Sequence, residues 1–159
     1  MSLAYVALGS NLGDPQQQVL DAVDALAQLP GTRVLQRSSL YRTPPWGVLE
    51  QPPFINAVVE LDTTLSAHDL LDALLNIEQR AGRMRVQRNG PRTLDLDLLH
   101  VEGVQLDDPD LTLPHPRMAE RAFVLLPLCD IAPTLRVSGP ATVASLLAQL
   151  DTFGCERVA

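Results

Sequence analysis

The stretch LDLDLLHV, residues 94–101, alternates leucine with a second residue type, as a half-buried β-strand does. Successive side chains of a strand point to opposite faces. The leucines at even positions are therefore predicted to face the core. Asp95 and Asp97 then lie together on the other face, with Cα atoms roughly 6.6 Å apart. Glu-Gly at 102–103 is typical of a hairpin turn, with residues 104–106 returning beside this strand.

Further strands and helices are predicted on both sides of this segment. Residues 3–8 form a buried strand that ends in a tight turn at 9–14, residues 33–42 are extended, and residues 54–61 alternate as a strand. A helix begins at Asp14-Pro15 and stops before Pro30-Gly31. Ser66, with Asp69 three residues on, caps a second helix that ends near Gly82. Its predicted apolar side consists of Leu70, Leu71, Leu74, Leu75 and Ile77.

Two more helices complete the pattern. Pro116 is predicted to open a third helix that runs to residue 126, and apolar residues at 143–150 mark a fourth. The inner side of the third helix would consist of Ala119, Ala122, Phe123 and Leu126. Strands mixed with helices and a hairpin favour an α+β sandwich with a largely antiparallel sheet, formed by one domain over residues 1–159.

The strand at 54–61 has two different faces. Ile55, Ala57, Val59 and Leu61 share one face, and Phe54, Asn56, Val58 and Glu60 share the other. An aromatic ring beside an amide can hold a flat heterocycle by stacking and edge pairing. The alternative is that Phe54 belongs to the core and Asn56 to the surface. The preceding loop, residues 43–53, is longer than a plain connector, which is typical of functional loops.

Composition excludes several classes of protein. The chain has 159 residues, 46% of them apolar, so it is not predicted to be disordered. Neither an apolar run of about 20 residues nor a basic leader is present, and we expect a cytoplasmic protein without a membrane segment. Cys129 and Cys155 are expected to be reduced thiols. The net charge of −7 argues against general nucleic-acid binding.

The basic residues are unevenly distributed. All twelve are arginine, and five of them fall within residues 80–92. Arginine presents a planar fork of donors that matches phosphate oxygens. The arginine cluster therefore suggests a phosphate-rich ligand, although a solvated charged surface would have the same composition.

The paired carboxylates suggest a metal. Asp95 and Asp97 repel each other unless a cation neutralises them, and Mg²⁺ takes one or two carboxylates together with substrate phosphates. A plain exposed strand face is the alternative. His115, between two prolines and near Arg117 and Arg121, suits a phosphate contact. It is not predicted to bind metal, because His68 and His100 lack ligand-like spacing. Asp97 and His100, three apart in a strand, are predicted on opposite faces.

Five segments together resemble one enzyme family. They are ALGSNLG at 7–13, SLYRTPP at 39–45, FINA at 54–57, GPRTLDLD at 90–97 and LPHP at 113–116. The chain resembles the 6-hydroxymethyl-7,8-dihydropterin pyrophosphokinases of folate biosynthesis over nearly its whole length. The resemblance implies a ferredoxin-like α/β sandwich. It also implies transfer of pyrophosphate from ATP to the hydroxymethyl oxygen of the pterin, with release of AMP.

The resemblance further implies the site residues. Asp95 and Asp97 match the ligands of two Mg²⁺ ions, and Arg83 and Arg92 match catalytic arginines. The implied nucleotide contacts are Glu78, Arg85, Arg88, Leu98, Thr112, His115 and Arg121. The implied pterin contacts are Thr43, Pro44, Pro45, Trp46, Phe54, Asn56 and Phe123. We expect a monomer whose partners are ATP and the pterin.

Two other functions use the same features. A metal-dependent nucleotidyl transferase would attack the α-phosphorus of ATP and release pyrophosphate instead of AMP. A non-catalytic module would bind a small molecule and show no magnesium-dependent turnover of ATP. The identity of the small product distinguishes these functions.

Overall fold

A six-stranded sheet forms the centre of the protein. The computed structural model describes residues 1–45, 50–82 and 94–158, and only the backbone of Ser138. The strands are β1 (Ser2–Ser10), β2 (Thr32–Arg37), β3 (Tyr41–Thr43), β4 (Phe54–Thr63), β5 (Asp95–Val101), β6 (Leu106–Asp107), β7 (Thr112–Leu113), β8 (Arg136–Ser138), β9 (Ala141–Thr142) and β10 (Glu156–Arg157). The sheet order is β10-β3-β4-β1-β5, and β2 pairs with the second half of β4. Every pairing is antiparallel, as predicted.

The described residues form four α-helices, and the first two begin directly after their predicted capping residues. They are α1 (Pro15–Ala27), α2 (Ala67–Arg80), α3 (Ala122–Ile131) and α4 (Val143–Leu147), with a 3₁₀ turn at Met118–Glu120. The Asp14 side chain accepts from Gln17 N at 3.3 Å, and Ser66 Oγ accepts from Asp69 N at 3.1 Å. Gly82, with a φ of +75°, follows the end of α2. Within the described residues, no helix has the length and apolarity to cross a membrane.

Each face of the sheet buries its own apolar core. On one face, α1 and α2 pack against the sheet, and we call this the α1/α2 core; it includes Val6, Leu8, Leu26, Ala57, Leu61, Leu70, Leu74, Leu96 and Leu98. On the other face, α3 and α4 form the α3/α4 core; it includes Tyr5, Ala7, Val58, Leu99, Val124, Leu125, Leu128 and Val143. Each fully buried leucine or valine stabilises the fold by about 1.5–3 kcal/mol. The sheet is thus the middle layer of a sandwich.

The predicted hairpin after β5 is wrong. The turn forms, since Val104 N donates to Val101 O, but β6 pairs with β7. The outer edge of β5 is contacted by a later segment, in which His115 N donates to Leu99 O at 2.8 Å. This contact brings the LPHP segment to β5.

Four boundaries or faces also differ from prediction. The third helix begins at Ala122 because Arg121 is extended. Val124, Leu125 and Leu128 are buried in the α3/α4 core; of the predicted inner residues, Phe123 packs against this core, whereas Ala119, Ala122 and Leu126 do not belong to it. Residues 33–42 form two strands, β2 and β3. Leu75 is 47% exposed and does not belong to the apolar side of α2. Gly9 and Ser10 lie in β1, so the turn begins later than predicted.

An irregularity in β5 overturns the prediction for Asp97 and His100. Asp97 is paired with Ala7 and His100 with Tyr5, and the register shifts between Tyr5 and Val6. Tyr5 and Ala7 belong to the same α3/α4 core. Because the extra residue resets the alternation of the strand, Asp97 and His100 lie on one face.

Candidate active site

Two small residues of β1 form the floor of a cavity on the α3/α4 face. Gly9 is paired with Asn56 of β4 on one side and with Asp95 of β5 on the other, and Ala7 is paired with Asp97. A Cβ on Gly9 would lie 2.8 Å from Asn56 Nδ2. The glycine therefore leaves an open floor between an amide and two carboxylates.

The cavity above this floor has a volume of about 240 Å³. It is lined by Ala7, Leu8, Gly9, Thr43, Pro44, Phe54, Asn56, Asp95, Asp97, His115, Arg121, Phe123 and Val124. Two aromatic rings, an amide, two carboxylates, an imidazole and a guanidinium thus meet in one place. A small number of polar groups in a concave, partly apolar setting is typical of a small-molecule site.

The two aspartates occupy the predicted face of β5. Asp95 and Asp97 are half-buried and line the cavity, whereas Leu96 and Leu98 belong to the α1/α2 core. The backbone of β5 is fixed at the residue between these two aspartates, because Leu96 N donates to Glu78 Oε2 at 2.7 Å. The prediction that both carboxylates share one face is confirmed.

His115 and Arg121 form the wall beside the aspartates. His115 Nδ1 accepts from Arg117 N at 3.2 Å. Burial lowers the pKa of His115, the positive charges of Arg121 and Arg117 lower it further, and Asp95 opposes them. The net effect favours the neutral form of the imidazole. The guanidinium of Arg121 lies over the Phe123 ring, 5.6 Å from its centroid, which links the cationic wall to the aromatic one.

The opposite end of the cavity has fixed polar groups. Thr43 Oγ1 donates to Asn56 Oδ1 at 2.6 Å, and Asn56 Nδ2 lies 3.5 Å from Leu8 O. Both residues are buried. Phe54, at the start of β4, and Phe123, at the start of α3, are half-buried cavity walls. This end therefore combines aromatic surface with an oriented amide.

The structure brings together most of the predicted site residues that it describes. Those lining the cavity are Thr43, Pro44, Phe54, Asn56, Asp95, Asp97, His115, Arg121 and Phe123. Pro45, Glu78, Leu98 and Thr112 do not line it; Leu98 is in the α1/α2 core, and Glu78 lies behind β5. The remaining predicted residues, Trp46, Arg83, Arg85, Arg88 and Arg92, lie outside the described residues.

Sequence reasoning missed the cavity floor and one wall. Ala7, Leu8, Gly9 and Val124 line the cavity, although Gly9 was predicted only as part of a turn. A glycine or alanine in a buried strand indicates a binding site only when the strand register shows which polar side chains lie beside it.

The spacing of the histidines along the sequence did not predict a contact that His68 makes in the structure. His68 Nε2 lies 3.1 Å from Asp108 Oδ2, and Asp110 completes a group whose candidate ligand atoms all lie within 4.8 Å of one another. The His68 and Asp110 side chains are exposed. The contact between His68 and Asp108 links α2 to the turn that joins β6 to β7.

Comparison with known proteins identifies the family. The family model described as 7,8-dihydro-6-hydroxymethylpterin-pyrophosphokinase (HPPK) matches residues 5–133. The chain belongs to this family. It is 51% identical over 158 residues to the 2-amino-4-hydroxy-6-hydroxymethyldihydropteridine pyrophosphokinase of Methylorubrum extorquens, covering 99% of both chains. It is 50% identical over 154 residues to that of Pseudomonas aeruginosa, covering 97% of this chain and 95% of the other.

A solved structure shows the same fold. The HPPK-DHPS of Plasmodium falciparum matches with a TM-score of 0.69 at 15% identity, over 94% of this chain and 43% of the longer one. The predicted α+β fold and the family resemblance are confirmed. The chain is thus an HPPK, a pyrophosphokinase of folate biosynthesis, from a family that generally uses Mg²⁺.

Proposed function

We propose that the HPPK reaction takes place in the cavity above Gly9, with the ATP phosphates at the aspartates and the pterin at Asn56. The observation that carries the proposal is the row Asp95–Gly9–Asn56 across three neighbouring strands. Two strand spacings separate the outer members by about 10 Å. This distance leaves room for a reacting hydroxymethyl group between a flat ring and a phosphate chain.

The aspartate end fits Mg²⁺. Asp95 and Asp97 offer hard oxygen ligands from one face of a strand, and both line the cavity. We propose that they hold two Mg²⁺ ions together with phosphate oxygens. Bound magnesium would neutralise and orient the triphosphate. Glu78 keeps the strand between the two ligands fixed through its contact with Leu96 N.

The other end fits a pterin. Phe54 and Phe123 supply aromatic surface for a flat ring, and Asn56 supplies an amide whose oxygen is already held by Thr43 Oγ1. A pre-oriented amide loses little freedom when it pairs with the ring edge. Pro44, Pro45 and Trp46 are proposed as further pterin contacts.

In the proposed reaction, the pterin hydroxyl oxygen forms a bond to the β-phosphorus of ATP. The bond from that phosphorus to the α–β bridging oxygen breaks, AMP leaves, and the hydroxyl proton is released. Much of the rate enhancement comes from holding the two substrates in line. His115 and Arg121 donate toward phosphate oxygens, and we propose that Arg83 and Arg92 stabilise the charge on the leaving oxygen.

The remaining nucleotide contacts are also proposals. They are Glu78, Arg85, Arg88, Leu98 and Thr112. Leu98 would act through its backbone, because its side chain is buried in the α1/α2 core. We propose a cytoplasmic monomer with one catalytic domain that binds neither nucleic acid nor membrane, in keeping with its net charge of −7.

The test is product identification. The protein is incubated with 6-hydroxymethyl-7,8-dihydropterin, ATP and Mg²⁺, and AMP and pyrophosphate are measured. We expect AMP in equal amount to pterin diphosphate, and none after chelation of the metal. Asp95→Asn should abolish AMP formation, whereas Asp107→Asn, which alters an exposed strand aspartate outside the cavity, should not. Release of pyrophosphate would instead show nucleotidyl transfer, and full activity of Asp95→Asn would contradict the assigned site.

A further inference from the structure

The C-terminal segment forms the outer edge of the sheet behind the pterin end of the cavity. β10 pairs with β3, with Glu156 opposite Arg42 and Arg157 opposite Tyr41. Val158 N donates to Leu40 O at 2.8 Å. The three-residue strand β3 therefore lies between β4 on one side and the last residues of the described chain on the other.

Side chains reinforce this edge. Arg42 Nη1 lies 2.9 Å from Glu156 Oε1, and the Arg157 guanidinium lies 5.9 Å from the centre of the Tyr41 ring. Tyr41 OH in turn donates to Asp130 Oδ1 of α3 at 2.8 Å. The C-terminal strand, β3 and α3 are thus joined around Tyr41, two residues before Thr43.

Gly154 of the C-terminal segment lies close to Pro44, a residue of the cavity wall. Its φ is +84°, and a Cβ at this position would lie 2.9 Å from Pro44 Cγ and 3.7 Å from Pro44 Cδ. The proline ring is rigid, so an added methyl group would displace Pro44 itself. Pro44 lines the cavity next to Thr43, whose hydroxyl orients Asn56.

From these contacts we propose that Gly154 is a positioning residue for pterin binding, since its bare Cα lets Pro44 and Thr43 sit where the ring of the substrate requires them. The inference rests on the proposed function of the cavity. Gly154 touches neither substrate; it acts through Pro44. The nucleotide end of the cavity, at Asp95 and Asp97 of β5, lies three strands from β3 in the sheet order.

The test compares two glycine-to-alanine substitutions. Gly154→Ala adds both the left-handed backbone strain and the contact with Pro44. Gly103→Ala adds only the strain, because Gly103 has a φ of +75° and, among the described residues, no atom beyond its chain neighbours lies within 4 Å of an added Cβ. We expect Gly154→Ala to weaken pterin binding about tenfold or more relative to Gly103→Ala. The affinity for ATP should be the same in both variants.

The measurement is pterin binding by fluorescence in the presence of a non-hydrolysable ATP analogue, together with the KM values of both substrates. Equal pterin affinities of the two variants, or equal losses for ATP and pterin in Gly154→Ala, would overturn the inference while leaving the proposed function intact. A wild-type protein that neither binds pterin nor forms AMP would overturn both.

A variant that carries both Gly154→Ala and Pro44→Ala, compared with Pro44→Ala alone, keeps the inference testable if Gly154→Ala by itself is poorly folded. Replacing Pro44 by Ala removes the ring atoms that the new methyl group would meet. We therefore expect Gly154→Ala to cost pterin affinity in the wild type and to cost little further in Pro44→Ala. Independent, additive losses would show that Gly154 does not act through Pro44.

Discussion

The two faces of the central sheet are formed by the same strands but have different roles. On the α1/α2 face, two helices of 13 and 14 residues cover leucine, valine and alanine side chains. On the other face, the helices have 10 and 5 residues, and the strand ends beside Gly9 stay open as the cavity. Short covering helices and small floor residues thus leave room for a site on one face, while the other face is covered by longer helices over a larger apolar core.

Asp97→Ala should show the difference between the two faces most clearly, through a large loss of activity. Because Asp97 belongs to the cavity and not to a core, we expect the turnover number to fall roughly 10³-fold. The free energy of unfolding should change little, because the Asp97 side chain lines the cavity and does not belong to an apolar core. AMP formation and urea unfolding would be measured on the same preparation. Near-normal turnover with magnesium would contradict the metal role.

Leu96→Ala, at the neighbouring position in the strand, should have the opposite effect: a large loss of stability and a small loss of activity. Leu96 is 6% exposed in the α1/α2 core, and truncation leaves a cavity there. We expect a loss of roughly 2–5 kcal/mol in the free energy of unfolding. Turnover per folded molecule should fall far less than in Asp97→Ala. A variant with wild-type stability would contradict the placement of Leu96 in this core.

Phe123→Ala should distinguish the two ends of the cavity. Phe123 lines the cavity, and its predicted partner is the pterin ring. We expect pterin binding to weaken by roughly tenfold, about 1.4 kcal/mol, and ATP binding to weaken less. Phe153→Ala is the matched control, because that ring is 90% exposed. Equal losses for both substrates would instead assign Phe123 to packing of α3.

Local patterns predicted the parts of the fold that local chemistry determines. Asp14 and Ser66 cap their helices, and alternation placed Asp95 and Asp97 on one face because the period of a strand is fixed. The same alternation named the two faces of β4 correctly, with Ile55 and Val59 in one core and Val58 in the other.

Register and long-range pairing could not be predicted in this way. Nothing near residues 102–106 shows that His115 bonds to the edge of β5, so a hairpin was expected there. The bulge that brings His100 to the face of Asp97 arises from pairing with β1, over 90 residues away. The role of Gly9 depends on which side chains of β4 and β5 lie beside it. The two-residue strand β10 is defined by its pairing with β3, which the local sequence does not predict.

The two histidines of the α3/α4 face, His100 and His115, differ in how their rings are bonded. Burial lowers the pKa of His100 below its ordinary value of 6.5, and the nearby charge of Glu102 opposes this shift. Among the buried side-chain atoms of the described residues, His100 Nδ1 has no hydrogen-bond partner, and the ring contacts Tyr5. His115 has a lowered pKa as well, but its Nδ1 is bonded.

Because the unfolded chain binds a proton at each histidine more readily, their contribution to stability is present above pH 6.5 and is lost as the pH falls below it. His100→Phe removes one of the two groups and keeps a ring against Tyr5. We therefore expect the drop in unfolding free energy between about pH 7.5 and about pH 5.5 to be smaller in this variant, with AMP formation retained. Denaturant unfolding at both pH values measures it, and an unchanged drop would show that His100 is protonated equally in the folded and unfolded chain.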